Sequence, residues 1–350
     1  MFSFGLFSIV FSTVAVGVWG IRRYAAPLGF VDKPGPRSSH AQPTPTSTGV
    51  IFVTAVPLAV WWASAYSGVP LGREFVVLAV AGGGLAALGM LDDRRSLPVW
   101  MRLLGQVLAA VAVVGFGGYM QQIAVGDLIR LEFGAVGRVV TVLWIVGLAN
   151  IYNFMDGVDG LAAGQALITA IGAIWVVGLS TGGWPVHLLV AITAGMGGFL
   201  VHNISPARAF MGDAGSVWLG FVLASMAALP AVTGAARISA IYWAIAPGLF
   251  LFDAGFTLLR RLARRESLWR AHRSHLYQRL YAQGWSHGRI TGLYLSLGSL
   301  LTALAVLHVS RTQLGPAAVA FLVLLTCAGV YALVRTVEAH AVRAGRRSPV

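Results

Sequence analysis

Charge is what this 350-residue chain has least of. Only 11% of its residues are Asp, Glu, Lys or Arg, against about a quarter in a soluble domain. With 57% hydrophobic residues and a mean hydropathy of +0.77, that shortage excludes an ordinary water-soluble protein and points to a polytopic membrane protein. Cysteine is almost missing: Cys327 stands alone, so no internal disulfide and no thiolate metal site can form. Lysine is as rare, with Lys33 the single one beside 24 arginines. Polar tracts long enough for a separate soluble domain are lacking, so residues 1–350 read as one integral membrane domain. Met1 to Gly20 has neither a basic start nor a small-residue cleavage site, which argues for a first span rather than a removed signal peptide.

What the chain does have is apolar runs of the ~20 residues needed to cross a bilayer. They predict an all-α fold of about eleven transmembrane helices, near 3–21, 47–66, 74–91, 100–119, 138–154, 158–179, 186–202, 214–231, 238–258, 290–309 and 315–334. The mixed segment 121–137 reads as an outer loop, and Trp61, Trp62 and Trp184 as interface aromatics. Eleven spans put alternate loops on opposite sides, one side carrying 20 basic residues and the other 5. The positive-inside rule makes the first side cytoplasmic, with the N-terminus outside and the C-terminus inside. That bias accounts for the net charge of +13 without nucleic acid.

The same alternation gathers every polar cluster on the cytoplasmic side. Around Asn150 to Gly160, Asn153, Asp156 and Asp159 are spaced three apart, which in a helix places them on one face. Gly157 and Gly160 keep that face open to close approach. Ionisable groups at the edge of a hydrocarbon slab are costly and usually mark a site; a polar loop between two spans is the plainer alternative. Asp92 and Asp93 are adjacent and disfavour double ionisation, so one can serve as a base; a solvated turn paired with Arg94 and Arg95 is the plainer alternative. In Phe210 to Ser216, Asp213 suits a metal ion, and the backbone amides of the helix start suit phosphate; a glycine-rich turn with an aspartate cap is the plainer alternative, and the favoured one for this string taken alone.

Loop 259–289 carries eight arginines with His272, His275 and His287. No cysteine or suitably spaced acid supports zinc there. His272, Arg273, His275 and Arg279 instead suit a phosphate, and the remaining arginines suit lipid headgroups. Lys33, Arg37 and His40, in the proline-stiffened loop after the first span, can also reach phosphates; a plain connection is equally consistent. Of eight Asp and four Glu, five lie at predicted cytoplasmic edges. Lone carboxylates among oxygen donors suit Mg²⁺, which keeps waters and shares its remaining positions with phosphate.

Five strings in this order, DKPGPRSSH (32–40), LDDRRSLPVWMRLLGQ (91–106), NIYNFMDGVDGLAAG (150–164), FMGDAGSVWLG (210–220) and HRSHLYQRL (272–280), resemble the polyprenyl-phosphate N-acetylhexosamine-1-phosphate transferases. The resemblance runs from about residue 30 to residue 285. It implies a helical fold with a cytoplasm-facing cleft in the bacterial inner membrane, and Mg²⁺ or Mn²⁺ as cofactor. It further implies transfer of a sugar 1-phosphate from a UDP-N-acetylamino sugar to undecaprenyl phosphate with release of UMP. Carried onto this chain, Asp92 and Asp93 match the pair at the lipid phosphate, Asp92 being a proposed base. Asp213 matches the metal ligand, and Asn153, Asp156 and Asp159 match the polar helix end lining the nucleotide and metal site. His275 matches the catalytic-loop histidine, and Lys33 the phosphate-facing lysine.

Tyr277 and Gln278 stand where the peptidoglycan translocases carry further histidines, so the last motif looks more like the O-antigen-initiating branch. That branch implies N-acetylglucosamine or a 6-deoxy relative such as N-acetylfucosamine or N-acetylquinovosamine as the sugar. The partners are then the UDP-sugar, the lipid phosphate and the bilayer, with no nucleic acid and with a homodimer allowed. A pentapeptide transferase, a nucleotide-sugar or lipid-linked sugar transporter, and a non-catalytic scaffold are the alternatives. A transporter expects acids near the bilayer midplane between repeated halves, whereas these sit at span ends. One-step and covalent two-step routes fit the same residues.

Overall fold

The computed structural model describes residues 2–32, 43–125, 129–178, 183–229, 238–267, 272–310 and 315–343. It is mostly helical. In chain order the helices are α1 (Phe2–Leu28), α2 (Val50–Ser67), α3 (Arg73–Arg95), α4 (Val99–Ala112, continued by a π-turn to Gly117), α5 (Gly137–Met155), α6 (Leu161–Val177) and α7 (Trp184–Asn203). There follow α8 (Gly212–Met226), α9 (Ala240–Ile245), α10 (Gly248–Ala263), α11 (Leu276–Ala282), α12 (His287–Val309) and α13 (Pro316–Arg343). Among the described residues, eight helices are long and apolar enough to cross a membrane. The other three predicted spans fall on α6, α8 and the α9–α10 pair, which are shorter or broken, the last at Pro247, where the ring cannot continue a hydrogen-bonded helix.

The expectation of an all-helical chain needs one correction. Two small antiparallel hairpins are present: Val31–Asp32 with Thr44–Pro45, and Gln122–Val125 with Ile129–Glu132. The second occupies the predicted outer loop. Loop 259–289 is also less of a loop than expected, since α10 runs to Ala263 and α11 lies inside it. Trp184 is no interface residue either: it is buried against Phe75, with ring centroids 5.6 Å apart.

α7 and α8 form the buried centre, with the outer helices around them. Lipid tails are as apolar as leucine, so backbone approach and packing must hold such helices together. Glycine makes the approach. A side-chain carbon on Gly89 of α3 would lie 2.5 Å from the Ala214 amide of α8, and one on Gly220 of α8 would lie 2.5 Å from the Leu148 carbonyl of α5. α8 is thus locked between α3 and α5 at backbone distance. The outward surfaces stay apolar, with Phe4, Val80, Leu108, Leu143, Trp175 and Leu324 exposed. A surface that greasy suits hydrocarbon rather than water, so this is an integral membrane protein.

Candidate active site

One end of the bundle collects the polar residues, because helices of alternating direction deliver alternate ends to it. The ends of α3, α5 and α7 meet the starts of α2, α4, α6, α8 and α12 there, and two cavities open between them. The first, about 760 Å³, is lined by Asp93, Asn153, Asp156, Asp159, Asp213 and Arg273, together with Asp32, Ser47, Arg94, Asn203, Phe210 and Tyr281. The second, about 550 Å³, has leucine and valine walls (Leu85, Leu88, Val99, Leu103, Val217, Leu258) and a polar end of Asp92, Arg102, His272 and His275. Asn153, Asp213 and Gln278 line both cavities. The single cleft expected from sequence is therefore a pair of cavities with a shared wall.

Asp92 and Asp93 divide between the two, because consecutive helical residues point about 100° apart. Asp92 Oδ2 accepts from Arg102 at 3.0 Å, and its Oδ1 accepts from the Leu97 amide just past the end of α3. Arg102 also comes within 3.8 Å of Asp213. Asp93 turns the other way: its Oδ1 accepts from the Asp213 amide at 3.1 Å and its Oδ2 from the Ser47 hydroxyl at 2.5 Å. A carboxylate thus already occupies the amide at the start of α8, where phosphate was expected, and it suits the positive end of that helix. Asn153 Nδ2 donates to Asp213 Oδ1 at 2.7 Å and lies 3.0 Å from the Ser216 hydroxyl.

Asn153, Asp156 and Asp159 do share a cavity, but not one helical face. α5 ends at Met155, and Gly160 turns the chain with φ +73°, a region costly for residues bearing a Cβ. Gly157 behaves as expected, since a side chain there would run into the Tyr277 hydroxyl. Burial raises the Asp156 carboxyl well above the usual range, and the negative charges of Asp213, Asp93 and Asp159 push it further. Burial pushes Asp159 up too. Its hydrogen bond with His287 (2.9 Å) and one from the Ala207 amide (3.0 Å) outweigh that and hold it below the ordinary value.

In the last motif, burial lowers His272 to about 4, helped by His275, Arg261 and Arg260. A neutral His272 can hydrogen-bond but offers no positive charge at pH 7. His275 lines the second cavity with Nδ1 3.2 Å from Asp253 Oδ1. Arg279 corrects the sequence reading: it is buried and bound through two bonds, 2.7 and 2.6 Å, to Glu338 of α13, and lines neither cavity. Lys33, Arg37 and His40 lie outside the described residues.

Three residues escaped the sequence reading. Arg102 counted only as a flanking charge, and Ser47 carried no signal of its own. Asp253 had one, a lone acid inside an apolar run, which is costly enough to mark it.

Among the described residues, no group of three His, Cys, Asp or Glu side chains is placed to hold a metal ion unaided. The donors that do gather are carboxylate, amide and hydroxyl oxygens of Asp93, Asp156, Asp213, Asn153 and Ser216. That set fits a hard ion which keeps its waters and takes its remaining oxygens from phosphate.

Fold and site together define an integral membrane protein with an acid-rich double cavity at the ends of its helices. A family profile described as Glycosyl transferase family 4 matches residues 75–230, which include all five site acids from Asp92 to Asp213 and every residue of α8. The chain is 31% identical to the probable undecaprenyl-phosphate N-acetylglucosaminyl 1-phosphate transferase of Bacillus subtilis, over 83% of this chain and 81% of that protein. It is 32% identical to the decaprenyl-phosphate N-acetylglucosaminephosphotransferase of Mycolicibacterium smegmatis, over 84% and 79%. It is 30% identical to the phospho-N-acetylmuramoyl-pentapeptide-transferase of Bacillus licheniformis, over 78% and 86%. The chain belongs to glycosyl transferase family 4, within the polyprenyl-phosphate N-acetylhexosamine-1-phosphate transferase superfamily.

Proposed function

We propose that the protein transfers an N-acetylamino-sugar 1-phosphate from a UDP-sugar to undecaprenyl phosphate at the cytoplasmic face of the bacterial inner membrane, initiating a cell-envelope polysaccharide such as O-antigen. The observation carrying this reading is the paired cavity: a polar chamber and a leucine-walled one that share Asn153, Asp213 and Gln278. One substrate is a water-soluble dianion and the other a lipid whose phosphate cannot leave the interface. Two such chambers with a common wall suit that pair.

The lipid tail lies along the leucines of the second cavity, and Arg102 meets its phosphate beside Asp92. An oxygen of that phosphate bonds to the β-phosphorus of the UDP-sugar, and the bond from that phosphorus to UMP breaks. Asp213, Asp156 and Asp93 would hold Mg²⁺ or Mn²⁺. When bound, such an ion neutralises pyrophosphate charge that repels the incoming phosphate. Asn153 fixes the Asp213 carboxylate, and Arg273 adds positive charge to the first cavity as UMP departs. UDP-N-acetylglucosamine is the first donor to test, given the names of the two N-acetylglucosamine relatives; its 6-deoxy relatives come next.

The test is UMP release by purified protein given each UDP-sugar, undecaprenyl phosphate and Mg²⁺. Asp213→Ala and Asp92→Asn are expected to abolish release while the variants stay folded. No release with any UDP-sugar, or near-normal turnover in either variant, overturns the reading. Turnover confined to UDP-N-acetylmuramoyl-pentapeptide selects the other branch of the family.

A further inference from the structure

Asp253 lines neither cavity, yet it is the most heavily bonded carboxylate of the described chain. It sits on α10 with no exposed surface. Its Oδ1 accepts from the Leu276 amide at 2.8 Å and faces His275 Nδ1 at 3.2 Å. Its Oδ2 accepts from the Tyr277 amide at 3.1 Å and the Tyr294 hydroxyl at 2.7 Å. A buried acid in an apolar helix is tolerated only when its oxygens are met in this way. The Thr257 hydroxyl, one turn along α10, also lies 3.4 Å from Oδ1, so two of the five donors are main-chain amides at the start of α11 and one comes from α12. Asp253 therefore ties α10, α11 and α12 together at the residue where the last motif enters the site.

The remaining partner, His275, bears on chemistry. A neutral imidazole carries its proton on one nitrogen and a lone pair on the other. A carboxylate facing Nδ1 keeps the proton there and fixes the plane of the ring, as it does for histidines that bind metals or shuttle protons. The ring is held on its other sides by Phe154 of α5, by Tyr277 and by His272, with centroids 5.9, 5.9 and 5.1 Å away. With Nδ1 committed, Nε2 is the nitrogen left for the cavity that His275 shares with Asp92 and Arg102.

We infer that Asp253 is a positioning residue for the transfer reaction, acting through His275 by holding its proton on Nδ1 and presenting Nε2 to the acceptor phosphate. This rests on the transferase reading above. A carboxylate serving only as the cap of α11 would stabilise the loop without setting the tautomer, and the experiments separate the two roles.

The first is a double-mutant cycle in the UMP-release assay. Asp253→Asn is expected to lower kcat on the order of 100-fold, the usual scale of a proton-handling group, with KM for the UDP-sugar little changed. In a His275→Ala background the same substitution should cost nothing further, because the group it serves is gone. Wild-type kcat in Asp253→Asn, or a loss that multiplies in the double variant, overturns the inference. The second experiment needs no activity, and its readout is taken on the wild type. In ¹⁵N-histidine-labelled wild-type protein in lipid, the His275 signal, identified by its loss in His275→Ala, should show a proton on Nδ1. A neutral ring protonated on Nε2 alone overturns the inference whatever the assay gives. A wild type that releases no UMP, with Nδ1 protonated, refutes the transferase reading and leaves the Asp253–His275 geometry standing.

Discussion

Asp159 accepts from the Ala207 amide and pairs with His287, while its own carbonyl accepts from the Thr291 hydroxyl at 2.6 Å. Residues from two separate stretches, the loop after α7 and the start of α12, thus close on one loop residue. Its carboxyl is held below the ordinary value, so the unfolded chain binds a proton more readily there than the folded one. Stability from this group is therefore fully present above the unfolded carboxylate value and is lost as pH falls through the lowered folded one. Asp159→Asn should melt below wild type at pH 7, and the gap should close on acidification toward pH 3, read as melting temperature by intrinsic fluorescence. A gap that does not change with pH removes the assigned stabilisation of the ionised Asp159 carboxylate. His272 gives the complementary case. Being neutral at pH 7, it supplies no charge to an anionic substrate, and His272→Gln should hold the undecaprenyl phosphate KM within a few-fold. A rise matching the loss of a charged contact would show the ring to be cationic. At this scale the acids of the motifs could be read from sequence, since carboxylates at span ends are costly anywhere but a site. Arg279 could not, because its partner Glu338 lies on α13, far along the chain, and nothing local marks the pair.

At the scale of elements, the site exists because α8 is clamped between α3 and α5. Asp93 reaches the Asp213 amide only where Gly89 lets α3 touch α8, and Asn153 reaches Asp213 only where Gly220 lets α8 touch α5. Forcing volume into such contacts costs typically 1–3 kcal/mol and shifts the backbone. Gly220→Val should therefore lose activity out of proportion to its loss of melting temperature, because Asn153 and Asp213 part before the bundle fails. Equal proportional losses would mean the contact serves packing alone. The ion pair between α11 and α13 predicts the reverse order. Removing one partner of a buried pair costs about 3–5 kcal/mol, whereas exchanging both for apolar residues is often neutral. Glu338→Gln should melt well below wild type, and Arg279→Met with Glu338→Leu should recover most of the loss. Most span positions were legible as apolar runs to within about five residues, although α1 and α13 run well past their predicted ends and the 238–258 span is broken. The end of α5 was not, because a three-residue spacing continues across Gly157 and Gly160 as text while the chain turns there.

For the whole molecule, the alternation of helix direction is the deepest constraint. If α1 brings its end to the site, then α2 must bring its start, and so through α8. The ends of α10 and α13 rejoin that face through His275 and through Glu338. The clusters read from sequence fell on one predicted side for the same reason, and that part of the architecture was legible before any coordinate. The division into two cavities was not, because it depends on which way neighbouring side chains such as Asp92 and Asp93 point. The proposed orientation rests on charge: the site face is the side expected from sequence to be arginine-rich, and cytoplasmic loops carry that excess. Ser67, exposed at the far end of α2, should then face the periplasm, and Ser267, exposed beyond α10, the cytoplasm. The single buried cysteine makes the measurement clean. In a Cys327→Ala background, cysteine at 67 should react with an impermeant maleimide added to intact cells. Cysteine at 267 should react only after the membrane is opened. The opposite pattern would turn the molecule over and place both cavities outside, where no UDP-sugar is made, ending the transferase reading along with the orientation.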